Sequence, residues 1–143
     1  MEAADENWSG LPASNAGGKP IITVAVSSRA LFHLEEENDL FRSGGQTAFD
    51  NYMLANARKT LKPGVAFPIV RRLLALNSEG RRDRVTVIVL SRNSPAAGTR
   101  VMASINELGL DVQKAVFTSG NERFRYASAM GADLFLSANE SDV

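Results

Sequence analysis

The chain contains no cysteine, which excludes disulfide bridges and thiolate metal sites and suits a reducing compartment. It also has no surplus charge of either sign. Sixteen Lys and Arg balance sixteen Asp and Glu, so no overall field draws the protein to nucleic acid or to an anionic membrane surface. Any phosphate recognition must therefore be local. No apolar run approaches the ~20 residues that a membrane-spanning helix needs. The N-terminus, Met1-Glu-Ala-Ala-Asp-Glu6, is acidic and lacks the basic-then-apolar order of a secretory signal, which makes the cytoplasm the expected location. Histidine occurs once, as His33. Without a second ligand at metal-binding spacing it reads as a surface residue.

What is present is enough apolar material for a single core, 44% of 143 residues. Residues 1–19 are small, polar and rich in Gly, Pro and Ser, with a lone Trp8, and are expected to form a disordered tail. An α/β domain is expected over 20–143. Four apolar runs, Ile21–Val26, Val85–Leu90, Val112–Phe117 and Leu134–Leu136, read as strands. Between them, helical spacing is expected over Thr47 to Arg58, Ile69 to Asn77, Pro95 to Leu108 and Asn121 to Met130. Gly44-Gly45 reads as a break, and the acidic Glu35-Glu-Glu-Asn-Asp39 as a solvated turn or helix start. Strands alternating with helices imply a three-layer parallel sheet of about four strands with helices on both faces.

The strand ends carry the chemistry. Val85–Leu90 is a β-branched run interrupted only by Thr86, the pattern of a strand covered on both faces, and Ser91, Arg92, Asn93 and Ser94 follow it. Pro95 then stands at a first helical position. Two readings of this stretch compete. Ser94 is an ordinary helix N-cap, or the strand end and the free N–H groups of the following helix hold an anion, as the carboxyl edge of an open α/β sheet does. Ser27, Ser28 and Arg29 stand in the same relation to the first strand. Thr118-Ser-Gly120 ends the third, and Ser137 to Asp142 follows the fourth. One edge of the sheet therefore collects polar groups.

Several segments in fixed order resemble a known family. They are Ile22-Thr-Val-Ala-Val-Ser-Ser-Arg-Ala-Leu-Phe32, Leu61-Lys-Pro-Gly-Val-Ala-Phe-Pro68, Leu90-Ser-Arg-Asn-Ser-Pro95, Arg100-Val-Met-Ala-Ser-Ile105 and Asp133-Leu-Phe-Leu-Ser-Ala-Asn139. Together they resemble the N-terminal half of the cytosolic type I 5′-nucleotidases. The resemblance implies a haloacid-dehalogenase/Rossmann-like fold and Mg²⁺-dependent release of phosphate from nucleoside 5′-monophosphates such as AMP and IMP. It also implies that Ser91 stands where a phosphate-binding Ser or Thr belongs, Arg123 where a Lys belongs, and Asn139 and Asp142 where metal carboxylates belong. Phosphate or nucleotide contacts are thus expected from Ser27, Ser28, Arg29, Ser91, Arg92, Asn93 and Arg123, and a metal contact from Asp142.

The chain also departs from that pattern. Phosphatases of this kind carry an Asp-x-Asp pair after a strand, one Asp attacking phosphorus and the other acting as acid and base beside Mg²⁺. Here the first strand ends in Ser27-Ser28-Arg29. In the resembling family the Asp-Gly-Asp segment lies downstream of the region this chain covers. Likewise, Thr118-Ser-Gly-Asn-Glu-Arg-Phe-Arg125 replaces a Gly-Gly-x-Ser-Pro pattern. The expectation is an incomplete N-terminal half, inactive alone and binding Mg²⁺ only loosely. Its partners are expected to be a nucleoside monophosphate or phosphate, together with a C-terminal half or a second copy. The competing expectation is a non-enzymatic phosphatase-like module that binds a nucleotide, phosphate or partner protein. A small active phosphatase using other residues is a third.

Overall fold

The computed structural model describes residues 22–77 and 84–140. The expected 1–19 tail and Asp142 lie outside the described residues. Four strands, β1 (Ile22–Val26), β4 (Val85–Ser91), β5 (Lys114–Phe117) and β6 (Leu134–Leu136), form one sheet in the order β5-β4-β1-β6. Every pairing is parallel: Val24 faces Val87, Ala25 faces Phe135, and Val89 faces Ala115. Counted along the chain, the strand order is third, second, first, fourth. The chain thus winds outward from β1 to one side and then returns to its other side.

That reversal decides where the helices lie. Right-handed crossovers running in one direction put their helices on one face, and a crossover running back puts its helix on the other. The crossovers from β1 to β5 carry α2 (Glu35–Ala55), α3 (Phe67–Leu74) and α4 (Pro95–Glu107). Their Met53, Val70, Val101 and Ile105 pack with Val24, Val26, Val87 and Val89 in the larger core. The return crossover carries α5 (Phe124–Ala129), whose Ala127 packs on Ala25 and Leu90 from the opposite face. Alternate strand residues therefore serve two cores, which is why β1 and β4 read as continuous apolar runs. Burying each of those valines stabilises the fold by about 1.5–3 kcal/mol relative to exposure.

Several boundaries differ from those expected. The third strand begins at Lys114 rather than Val112, because the Val112 N–H bonds Leu110 O in a turn at 2.9 Å while its side chain joins the larger core. Gly44-Gly45 interrupts the helical path as expected, Gly45 standing at φ 79° and ψ −174°, a non-helical conformation only glycine adopts freely, but the chain is helical on both sides of it, from Glu35 to Ala55. The third helix starts at Phe67 with Pro68 in its first turn, and a 3₁₀ turn, Ala75–Asn77, completes it. α5 is shorter than expected because Thr118 and Asn121 bond each other's carbonyls with their side chains and hold the chain in a turn.

One small element had no expected counterpart. After Ser27 the chain forms a single turn, α1 (Ser28–Leu31), then β2 (Phe32–His33), which pairs antiparallel with β3 (Lys62–Pro63). The contact is close: a Cβ on Gly64 would lie 2.7 Å from the Ala30 carbonyl oxygen and 2.8 Å from Phe32 C. His33 is exposed, as expected.

Candidate functional site

β1 and β4 are neighbours in register, so their ends deliver Ser27-Ser28-Arg29 and Ser91-Arg92-Asn93 side by side. Ser27 is fully buried and caps α1, its Oγ accepting from the Ala30 N–H at 3.1 Å. Ser28 Oγ and Ser91 Oγ lie 2.9 Å apart, and Ser91 Oγ also accepts from the Asn93 N–H at 3.1 Å. These hydroxyls join the two strand ends. The loop after β5 is joined to the same place, with Thr118 N–H donating to Ser91 O at 2.8 Å and Gly120 N–H to Arg92 O at 2.8 Å. Ser119 and Gly120 adopt positive φ, 50° and 94°, to make that turn.

Ser94 is a helix N-cap, as the first of its two readings expects. Ser94 Oγ accepts from the Ala97 N–H at 3.3 Å, and Pro95 occupies the first helical turn. The same hydroxyl donates to Asp50 Oδ1 at 2.8 Å, which joins the start of α4 to α2.

Above the strand ends lies an open cavity of about 380 Å³, within the size range of small-ligand sites. Its sheet side is lined by Ser28, Arg29, Arg92, Asn93, Arg123 and Asn139, with Gly120 between them. Leu34, Asn38, Phe41, Gln46 and Phe49 form the facing wall. Five of the seven expected phosphate contacts thus share one cavity. Ser27 and Ser91 lie under it, both fully buried, and set the floor rather than the lining.

The lining is electropositive. Among the described residues it contains three guanidinium groups and no carboxylate. Arg29 pairs with Glu35 at 3.3 Å, but the two side chains are 32% and 59% exposed, so water screens the pair. Arg123 is 4% exposed, and its guanidinium lies 5.9 Å from the centroid of the Phe135 ring. Three buried N–H positions in the lining, Arg29 Nε, Asn38 Nδ2 and Asn93 Nδ2, have no acceptor. Buried donors left unsatisfied cost about 1–3 kcal/mol each, and a ligand rich in acceptors removes that cost. An oxyanion is such a ligand, and cationic partners shorten and strengthen its hydrogen bonds.

Mg²⁺ does not suit this donor set. A hard divalent cation takes carboxylate and other oxygens, whereas the described lining residues include three arginines and no carboxylate. Among the described residues no group of three His, Asp or Glu could hold a metal ion. Asn139 is at the cavity, while its expected metal partner Asp142 is outside the described residues.

The wall from α2 was not expected at the site. Asn38 sits in the acidic Glu35–Asp39 run, which reads as solvated, and Phe49 reads as ordinary core. The kink at Gly45 connects the two halves of this wall. Across it Phe41 and Phe49 meet edge to face, with ring centroids 5.9 Å apart and an interplanar angle of 89°. The acidic run itself is only partly solvated: Glu37 is buried and bonded to Arg100.

A parallel sheet covered on both faces, with a cation-lined cavity at its carboxyl edge, places the protein among the haloacid-dehalogenase/Rossmann-like α/β folds. Comparison with known proteins gives the family. The sequence model of the 5′-nucleotidase family matches residues 14–143, and the chain belongs to that family. It is 28% identical over 131 residues to human cytosolic 5′-nucleotidase 1B, a match covering 87% of this chain. The chain spans 22% of the length of that relative. No solved structure matches it. Among the described residues no helix is long and apolar enough to cross a membrane.

Proposed function

We propose that this chain supplies the phosphate-binding edge of a nucleoside 5′-monophosphate phosphohydrolase of the AMP and IMP type, and that the attacking carboxylate comes from a segment outside it. The observation that carries the reading is the convergence of Arg29, Arg92 and Arg123 with Ser28 and Asn93 on one cavity at the strand ends. Three guanidiniums neutralise a phosphate dianion, and hydroxyl and amide groups orient its oxygens. Membership of the 5′-nucleotidase family supports the reaction class.

The chemistry the lining lacks is as informative as what it has. Phosphoryl transfer through an aspartyl-phosphate needs an anionic nucleophile in line with phosphorus. Ser27 is spent as a helix cap and has no neighbouring base in its hydrogen bonds. The Ser28 and Ser91 hydroxyls bond each other. The chain alone is therefore a binder of phosphate and nucleotide, in the cytoplasm, with Mg²⁺ held loosely if at all. Binding without turnover in any context is the second reading, and the three arginines among the described lining residues favour it.

Isothermal titration of the purified chain with AMP, IMP and inorganic phosphate tests the binding. Saturable binding of all three that weakens with salt supports it, and no binding of any of them refutes it. Joining the chain to a downstream half that carries the family's Asp-x-Asp pair separates the two readings. Mg²⁺-dependent hydrolysis by the joined protein supports the enzyme, and its absence supports the binding module.

A further inference from the structure

The side of α3 turned away from the core carries an apolar row. Phe67 and Val70 of this helix are buried, whereas Val65, Ile69 and Leu76 are 82%, 51% and 53% exposed. Helical spacing sets Ile69 and Leu76 on one side, with Val65 just before the first turn. Apolar side chains exposed singly need no explanation, but a row of them rimmed by polar groups marks a contact surface. The rim here is basic. Lys62, Arg71 and Arg72 are exposed, and residues 62–77 contain no Asp or Glu. An acidic stretch bearing a large apolar side chain matches such a face in both charge and shape.

The chain itself has one. Glu2, Asp5 and Glu6 lead into Trp8, Leu11 follows, and no Lys or Arg occurs before Lys19. The point of attachment favours this face over others. This stretch runs into β1 at Ile22, whose N–H donates to Arg84 O at 3.0 Å and which pairs with Val85. Val85 N–H donates to Asn77 Oδ1 at 2.9 Å, and Asn77 Nδ2 donates to Val85 O at 2.7 Å. The N-terminal stretch is therefore joined to the fold beside Leu76, at one end of the row. From Trp8 to Ile22 the chain reaches up to roughly 45 Å, whereas the row from Val65 to Leu76 is only about 17 Å long. Such a tether gives an effective concentration on the order of millimolar, so even a weak contact is populated.

We propose that residues 1–12 dock on α3, with Trp8 packed on Ile69 and the acids Asp5 and Glu6 facing Arg71 and Arg72. The occupant is this chain's own N-terminal stretch, and the contact does not depend on the phosphate reading. It also backs the turn that carries Ser28 and Arg29, because Gly64 N–H donates to Leu31 O and Ala66 N–H to Ala30 O, both at 2.8 Å.

Trp8 is the only tryptophan, so its fluorescence in the full chain reports the contact directly. Its emission is expected to be blue-shifted, and its quenching by acrylamide weaker, than in a free peptide of residues 1–12. Ile69→Asp, and separately Arg71→Glu with Arg72→Glu, should return both readings to those of the peptide. These side chains are exposed, so the variants should keep the native fold, which circular dichroism checks. Adding Asp5→Arg and Glu6→Arg to the doubly charge-reversed chain should restore the blue shift, a rescue that damage to the fold would not show. Emission equal to that of the peptide in the unmodified chain, or a blue shift that Ile69→Asp leaves in place, overturns the proposal. A shift that appears only as protein concentration rises overturns it as well, and assigns the face to a second copy of the chain.

Discussion

Glu37 and Arg100 form a buried ion pair across α2 and α4, with Arg100 Nη1 2.9 Å from Glu37 Oε1 and the side chains 8% and 7% exposed. Arg100 is held on all sides. Its Nε donates to Lys59 O at 2.9 Å, Nη1 lies 3.7 Å from Met53 Sδ, and the guanidinium is 5.9 Å from the Tyr52 ring centroid. The pair fixes the first half of α2 on the core, and thereby positions the cavity wall that follows it.

Removing one charge from such a pair leaves the other buried and unmatched. Glu37→Ala is expected to destabilise the fold by about 3–5 kcal/mol. Replacing both partners, Glu37→Leu with Arg100→Met, should cost less than either single change, because no orphan charge remains. Chemical denaturation of the three variants measures the difference. A double variant less stable than both single ones contradicts this account.

Gly64 stands where backbone meets backbone. A Cβ there would approach the Ala30 carbonyl oxygen to 2.7 Å and Phe32 N to 2.9 Å, and neither can move without shifting α1 or β2. Gly64→Ala should therefore destabilise by about 1–3 kcal/mol, the usual cost of overpacking. It should also disturb the Ser28 end of the cavity, which shares that turn. Thermal unfolding together with the phosphate titration reads both effects.

The cationic lining predicts a salt-sensitive anion site. Arg29→Ala and Arg92→Ala should each weaken phosphate binding about tenfold, as expected for loss of a charge-assisted hydrogen bond. Raising the ionic strength should weaken the unmodified chain further. Amide shifts on titration with phosphate should fall at Ser28 and over Ser91 to Ala96. Shifts confined to other residues would place the anion elsewhere.

The isolated chain should not hydrolyse AMP or IMP with added Mg²⁺. Phosphate release is expected to equal that of a Ser27→Ala control, since Ser27 serves as a cap and the described lining residues include no nucleophilic carboxylate. Mg²⁺-dependent turnover abolished by that substitution would identify a serine-based phosphatase instead.

Much of the fold was legible because parallel strands and helix starts are written locally. β1, β4 and β6 are short β-branched or apolar runs, and Ser94-Pro95 carries its cap chemistry in adjacent residues. The polar strand ends were legible for the same reason, which is why Ser28, Arg29, Arg92 and Asn93 were expected at one edge, whereas Arg123 was expected there only through the family resemblance. The boundaries of α2 were not. The double glycine reads as a break and Gly45 is one, but the helical stretch before it, from Glu35, depends on packing that the acidic run does not specify.

The sequence by itself determined the period of the four sheet strands and of most helices, the Ser94 cap, and the residue types at the strand ends, since these depend on neighbours within one or two turns. Tertiary structure alone decided the strand order, and with it which strand ends share a cavity and which helices share a face. It also decided that Glu37 would be buried against Arg100, 63 residues away, and that Asn38 and Phe41 would face the phosphate edge. An acidic run looks solvated until a distant arginine is packed against it, because burial of a charge depends on a partner that local pattern does not specify.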